Sequence, residues 1–281
     1  MRRSFLRAIL RRRLTALGLT LVAAHMAVAL AAPWLAPHDP FALLDAPLEA
    51  PSAAYPLGTD ELGRDFLSRL IMGGRIAIVV AFTSAFVAAL GGGMIGLAAA
   101  YHRGFVDDFV SRFVEMKLAV PAILFVSLFV TGFGQSATVL VTVIAIIKMM
   151  GVIRTARAQG IVLMEHGYVK AAMLRGDGAA AIVLREMLPN IVDLLAVEFA
   201  LRASSALLLV SSLSFLGLGI SPPTPDWGMM VHDGLGAIHS EPWLILAPAL
   251  CISTLVVGIN FATEGVTDAL GLDAARGTAG H

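Results

Sequence analysis

The sequence predicts an all-α membrane protein with six transmembrane helices and both termini in the cytoplasm. Composition, the length of the apolar runs and the placement of positive charge carry that expectation. Of the 281 residues, 58% are hydrophobic and only 14% charged, whereas an ordinary soluble domain has about 45–50% and about 25%. Six apolar runs approach the roughly 20 residues that a hydrocarbon core demands, at residues 14–35, 76–100, 118–133, 137–153, 191–216 and 243–262. Twenty Lys and Arg offset twenty Asp and Glu, so neither a nucleic-acid-binding surface nor an acidic disordered chain fits. Cys251 is the single cysteine and lies in an apolar run, which removes an intrachain disulfide framework and a Cys-based metal site. Beside six spans there is no room for a large soluble enzyme domain. The chain is therefore expected not to be an enzyme, and any bond-making falls to partners.

The first run follows Arg2, Arg3, Arg7, Arg11, Arg12 and Arg13. Arg2-Arg3-Ser4-Phe5-Leu6-Arg7 resembles a twin-arginine export signal, and Ala29-Leu30-Ala31 a cleavage site. Arginines abutting the apolar run, with five further spans behind it, favour an uncleaved anchor. In the second run, Gly91, Gly92, Gly93 and Gly96 permit close helix packing. The third and fourth runs are short and separated only by Gly132 to Ser136, so they read as a tight helical hairpin. Pro121 marks a first turn or a kink. Between the fourth and fifth runs, residues 154–190 read as a loop holding two short helices: Tyr168 to Arg175, broken by Gly176-Asp177-Gly178, then Ala179 to Leu188, stopped by Pro189. The chain divides accordingly into residues 1–75 (N-terminal segment, first span and outer loop), a core of 76–272 with five spans, and a tail of 273–281.

Positive charge sets the orientation. Fourteen Lys and Arg lie in the N-terminus, in 101–117 (Arg103, Arg112, Lys117) and in 154–190 (Arg154, Arg157, Lys170, Arg175, Arg185). The alternate loops hold three, Arg64, Arg69 and Arg75. Lys148, Glu198 and Arg202 fall inside the runs, where a charge is costly and points to function. Lys148, about five residues from the end of its run, is expected to snorkel out. Glu198 and Arg202 are four apart on one helix face, and serve either as a structural ion pair or as a lining of the solute path.

A short helix with paired alanines can approach another protein's groove closely, and the loop at 154–190 carries such a pair. Lys170-Ala171-Ala172, Gly176 and Met187-Leu188-Pro189 resemble the EAA loop in permease subunits of bacterial ATP-binding-cassette importers. Two further strings are similar to the dipeptide, oligopeptide and nickel branch of that family. They are Pro56-Leu57-Gly58-Thr59-Asp60-Glu61-Leu62-Gly63-Arg64-Asp65, and Ser212-Leu213-Ser214-Phe215-Leu216-Gly217-Leu218-Gly219 with Pro222-Pro223-Thr224-Pro225 and Trp227-Gly228. The resemblance runs from about residue 10 to residue 272. Lys170 stands where the pattern has glutamate, and Val210 where the pattern has an acidic residue.

The resemblance implies a type I importer transmembrane domain in the bacterial inner membrane, translocating a di- or oligopeptide or a related solute such as nickel. It also implies as partners a second homologous permease, two ATPase subunits, a periplasmic solute-binding protein and, around this chain, membrane lipid. Lys170, Ala171, Ala172, Gly176, Leu188 and Pro189 would form the ATPase-coupling loop. No lysine in the chain follows a glycine, so it has no G-x-x-x-x-G-K-[ST] phosphate cradle, and ATP is expected on the partner subunits, with no cofactor on this chain.

The outer loops, residues 36–75 and 217–243, hold nine acids (Asp39, Asp45, Glu49, Asp60, Glu61, Asp65, Asp226, Asp233 and Glu241) against three arginines. Asp226, Asp233 and Glu241 are candidate docking residues for the binding protein, although acids also collect outside simply because Lys and Arg are retained inside. His232 and His239 beside Asp233 and Glu241 lack a His-x-x-x-His or Cys partner, so no metal site is expected. Two rivals stand beside the permease reading. An ion-coupled secondary transporter would use Glu198 and Arg202 as working charges but calls for an inverted repeat that the halves do not show. An intramembrane protease would need a Ser–His pair at membrane depth, where only His25 is offered.

Overall fold

The computed structural model describes residues 12–44 and 46–269. The arginines at positions 2, 3, 7 and 11, Asp45 and the tail at 273–281 lie outside them. Nine α-helices of seven residues or more organise the described chain: α1 (Arg13–Leu35), α2 (Phe66–His102), α3 (Gly104–Ala119), α4 (Ala122–Phe133), α5 (Ala137–Met164), α6 (Gly167–Leu174), α7 (Val192–Phe215), α8 (Trp227–Asp233) and α9 (Trp243–Ala269). Five are long and apolar enough to cross a membrane, counting α7 with the helical run that leads into it, and the pair α3 and α4 makes up a sixth, broken span.

The break lies where Pro121 stands. Proline disfavours the α region for the residue before it, and Val120 is extended at φ −86°, ψ 122°. The two helices meet at 89°. At about 1.5 Å per residue, the 12 residues of α4 fall well short of a hydrocarbon core, so the run at 118–133 is not one continuous span. Beyond it Gly134, at φ +87°, turns the chain and Ser136 caps α5, forming the tight hairpin turn the sequence predicts.

Helices run further than hydrophobicity alone indicates. Asp65 caps the first turn of α2 by accepting from the Ser68 N–H at 3.1 Å, so that helix starts ten residues before the apolar run and passes through the boundary at residue 75. Past Ile153, α5 continues for three more turns because its polar residues find partners, notably Arg157 in a forked pair with Asp107 of α3. Pro189 does not stop the chain either. One helical turn (Ala179–Ala181) widens to a π-helical segment (Ile182–Met187), tightens to 3-10 (Leu188–Ile191) and runs on into α7. A proline lacks an N–H and its ring collides with the carbonyl four residues back in a regular helix; changing the pitch on either side avoids that collision. The Asn190 amide donates to the Glu186 carbonyl at 2.6 Å, occupying an acceptor in the distorted turn.

Small residues set the packing. Along α2 and α5, which run parallel, a Cβ on Gly92 would come 2.8 Å from Val152 Cβ, and one on Gly96 would come 2.7 Å from the Ile153 carbonyl oxygen. On the other side of the seam, a Cβ on Gly160 would meet that of Ala100 at 2.7 Å. Helices α1 and α9 pair antiparallel in the same way, with Gly18 against Gly258 and Ala262, Gly265 against Thr15, and His25 Nε2 facing Thr254 Oγ1 at 3.3 Å. This pairing places the start of α1 and the end of α9 together. With α2 and α5 both descending to the Arg103–Glu165 ion pair, the start of α1, the end of α9 and α6 share one end of the bundle.

Overpacking a tight contact costs about 1–3 kcal/mol. Gly96→Leu should therefore lower the thermal unfolding midpoint in detergent by several degrees, since its neighbours at 2.7 Å and 2.8 Å are backbone atoms of α5. An unchanged midpoint would show that the seam is looser than described.

Candidate functional site

At the end opposite α6, the string Pro56 to Asp65 folds into a knot. Asp60 accepts from the N–H groups of Leu62 and Arg64 at 2.9 and 3.0 Å, from Arg64 Nε at 2.7 Å, and pairs with Arg69 Nε at 3.1 Å. Arg69 then donates to the carbonyls of Pro40 and Pro223, tying the loop after α1 to the loop after α7. Trp227 Nε1 donates to Leu70 O at 2.8 Å and Trp243 Nε1 to Leu57 O at 3.1 Å, closing the same assembly. Asp60, Arg64 and Arg69 are all buried, so a mutually satisfied charge cluster replaces the open loop that a count of charges suggests.

This geometry corrects the docking candidates. Asp226 is 1% exposed and caps α8, accepting from the N–H groups of Gly228 and Met229. Burial pushes its carboxyl pKa above the usual range, and it presents no charge to a partner. Asp60 and Asp65 are buried too, which thins the acidic patch. Asp233 and Glu241 are half-buried; burial also raises the Asp233 carboxyl, opposed by Arg69, His232 and Arg64. Val210, where the family pattern has an acid, is wholly buried among Leu207 and Leu213 in the bundle core.

At the α6 end, Glu165 closes α5 and pairs with Lys170 at 2.9 Å and Arg103 at 3.1 Å, and these two cations hold its carboxyl below the usual range, Lys170 foremost. Helix α6 then lays Val169 and Ala172, both 0% exposed, onto a core formed with Leu97, Ala156, Ile182 and Met187. Ala172 therefore serves the chain's own packing, so the alanine pair does not lie against an outside groove: only Ala171 faces outward. The exposed side of α6 carries Tyr168, Lys170, Ala171 and, at its tip, Leu174 at 89% exposure.

Gly176 ends α6 at φ +81°. The Asp177 N–H bonds Ala172 O at 3.2 Å and the Gly176 N–H bonds Met173 O at 3.0 Å, a helix stop that favours glycine at the left-handed position. Leu188 packs on the core beneath α6, and Pro189 is exposed. Leu174 and Tyr168 escape a motif reading. Helical period finds Leu174, which lies opposite Val169 and Ala172, whereas Tyr168, one turn before Ala172, borders the buried face.

Between the two ends, Arg202 Nη2 and Nε reach Glu198 Oε2 at 2.5 and 2.9 Å, forming the ion pair that the spacing predicts. The guanidinium lies on α5, where a Cβ on Gly151 would stand 3.1 Å from it. Lys148 sits one turn away on the same face of α5. Lys148 lies sixteen residues before the end of α5 at Met164, about 24 Å along the axis, and its side chain is half-buried.

Residues 92–271 match the family model described as "Binding-protein-dependent transport system inner membrane component". The chain is 36% identical over 249 residues to the di/tripeptide transport system permease protein of Pseudomonas aeruginosa, covering 86% of this chain and 82% of that protein. It is 32% identical over 261 residues to the dipeptide transport system permease protein of Haemophilus influenzae (90% and 88% covered). Against the glutathione transport system permease protein of Pectobacterium atrosepticum, identity is 33% over 270 residues (95% and 90% covered).

Removing one partner of a buried charge cluster costs about 3–5 kcal/mol. Asp60→Ala, which strands Arg64 and Arg69, should thus make residues 36–65 susceptible to limited proteolysis, whereas Glu61→Ala, at an exposed site, should not. Equal resistance of the two variants would argue against the knot.

Proposed function

The chain belongs to the binding-protein-dependent transport system inner membrane component family, and from that premise we propose that it passes di- or short oligopeptides through an ATP-driven importer. Membership itself makes the chain a multi-pass inner-membrane permease subunit, working with ATPase and solute-binding components and not itself an enzyme. It also sets aside the ion-coupled alternative. The peptide solute rests on one observation: relatives named as di/tripeptide and dipeptide permeases align over 86% and 90% of the chain, respectively.

In the assembly we envisage, one homologous permease, two ATPases carrying the ATP and one periplasmic binding protein surround this subunit. The α6 end faces the cytoplasm, consistent with its share of Lys and Arg. Closure of the ATPase dimer pushes on Tyr168, Ala171 and Leu174. The rigid seat of Val169 and Ala172 passes the displacement into α2 and α5, which rock as a unit to alternate access. Lys170 is engaged with Glu165, so its charge reversal relative to the family pattern is neutralised within the chain. At the periplasmic end the knot around Asp60 holds the platform that receives the binding protein, with Asp233 and Glu241 at its rim.

A cysteine at position 174 tests orientation and docking together. In a Cys251→Ala background, Leu174→Cys in inside-out vesicles stripped of ATPase should react with a membrane-impermeant maleimide, and added ATPase subunits should protect it. Reaction from the outside of intact cells, or no protection by the ATPase, would refute the assignment.

A further inference from the structure

The charges at membrane depth do not balance. Lys148 stands eleven residues into α5, about 16 Å down a hydrocarbon core of about 30 Å. Among the described residues its ammonium has no hydrogen bond or ion pair. Lys117 and Arg202 both lie within electrostatic reach of it. Lys117 is buried beneath the Phe125 ring, 4.8 Å from its centroid, again without a carboxylate. Three cations thus share one anion, Glu198, and Glu198 is taken up by Nε and Nη2 of Arg202. Arg202 Nη1 is left over, held against the α5 backbone at Gly151, one turn from Lys148.

This face is also incompletely covered. The Arg202 side chain is 26% exposed, and Lys148, Thr155 and Ser205 are half-buried. The Thr155 and Ser205 hydroxyls are satisfied by their own helices. Cations left open at mid-depth do not face hydrocarbon; such groups line water-filled cavities or protein.

We infer that Lys148 and the free Nη1 of Arg202 form a carboxylate-binding subsite on the translocation path, and that Glu198 is the positioning residue that fixes the guanidinium. The inference rests on the peptide reading for its natural ligand, the C-terminal carboxylate of the solute. Two cationic donors on facing helices suit a planar anion, and an unpaired ammonium within electrostatic reach of a guanidinium costs energy until an anion arrives.

The test uses the complete importer in liposomes, with a dipeptide and its C-terminal amide each at a concentration that saturates the binding protein by its own titration. Peptide imported per ATP hydrolysed is the readout. One lost charge-assisted hydrogen bond corresponds to about tenfold, so Lys148→Gln should lower import of the acid about tenfold towards that of the amide. Binding-protein-stimulated ATP hydrolysis should persist, and Lys148→Arg should restore import. An acid-to-amide ratio in Lys148→Gln equal to that of the wild type would overturn the subsite. So would loss of stimulated hydrolysis in the Gln variant, which would instead place Lys148 in the contact with the partner permease.

A second arm does not depend on peptides. In a Cys251→Ala background, Thr155→Cys should react faster with an anionic than with a cationic methanethiosulfonate, and Lys148→Gln should erase the difference. No reaction, or no charge preference, would refute an anion-receptive face. Should the wild type import neither peptide form, the peptide reading fails, and this arm still decides the subsite.

Discussion

The bundle depends on how closely α2 and α5 approach each other. Gly92 and Gly96 on one helix and Gly160 on the other bring backbone against side chain and backbone at distances that leave no room for a Cβ. In lipid there is no hydrophobic gain from bringing two apolar helices together, so close van der Waals contact between small residues has to supply the association. The seam runs from Ser84, whose hydroxyl reaches Val141 O at 3.3 Å, to Ala100 against Gly160. Over that length the two parallel helices behave as one bar.

What sits at each end of the bar follows from it. At one end the joined helices, with Leu97, Ala156 and Leu163, make the floor on which α6 seats Val169 and Ala172. At the other, the first turns of α2 carry Ser68, Arg69 and Leu70 into the knot around Asp60, Asp65 and Trp227. Midway, α5 turns Lys148 and Gly151 towards Arg202 on α7. The proposed coupling surface, outer platform and solute subsite are therefore three stations on one rigid element, a suitable arrangement for converting a push at one end into movement at the other.

Much of this is legible in the sequence, and the failures share a cause. Apolar run length locates the spans, and the i,i+4 spacing of Glu198 and Arg202 gives their pair. The glycine run gives the close contact in α2, and the EAA-like string gives α6. Run length fails at helix ends, because helices persist wherever polar side chains find partners: Arg157 with Asp107 carries α5 to Met164, and Asp65 starts α2 early. A proline's effect depends on context that lies outside the local string, since Pro121 breaks a helix while Pro189 is absorbed by a change of pitch. Counting charges fails where charges neutralise each other inside the fold, as at Asp60 with Arg64 and Arg69, or where a carboxylate caps a buried helix, as at Asp226. Ala172 points inward because α6 must be anchored to something, and only three-dimensional packing reveals which face does the anchoring.

The central claim is that α6 and the α2–α5 bar move as one body. The direct measurement is the distance between spin labels at Val87, on the exposed face of α2, and at Leu174, at the tip of α6, in the assembled importer with and without ATP. A single distance distribution that does not shift between the two states is the expected result. A displacement of several ångströms between them would mean that the coupling helix moves independently of the bundle, and the account would be wrong.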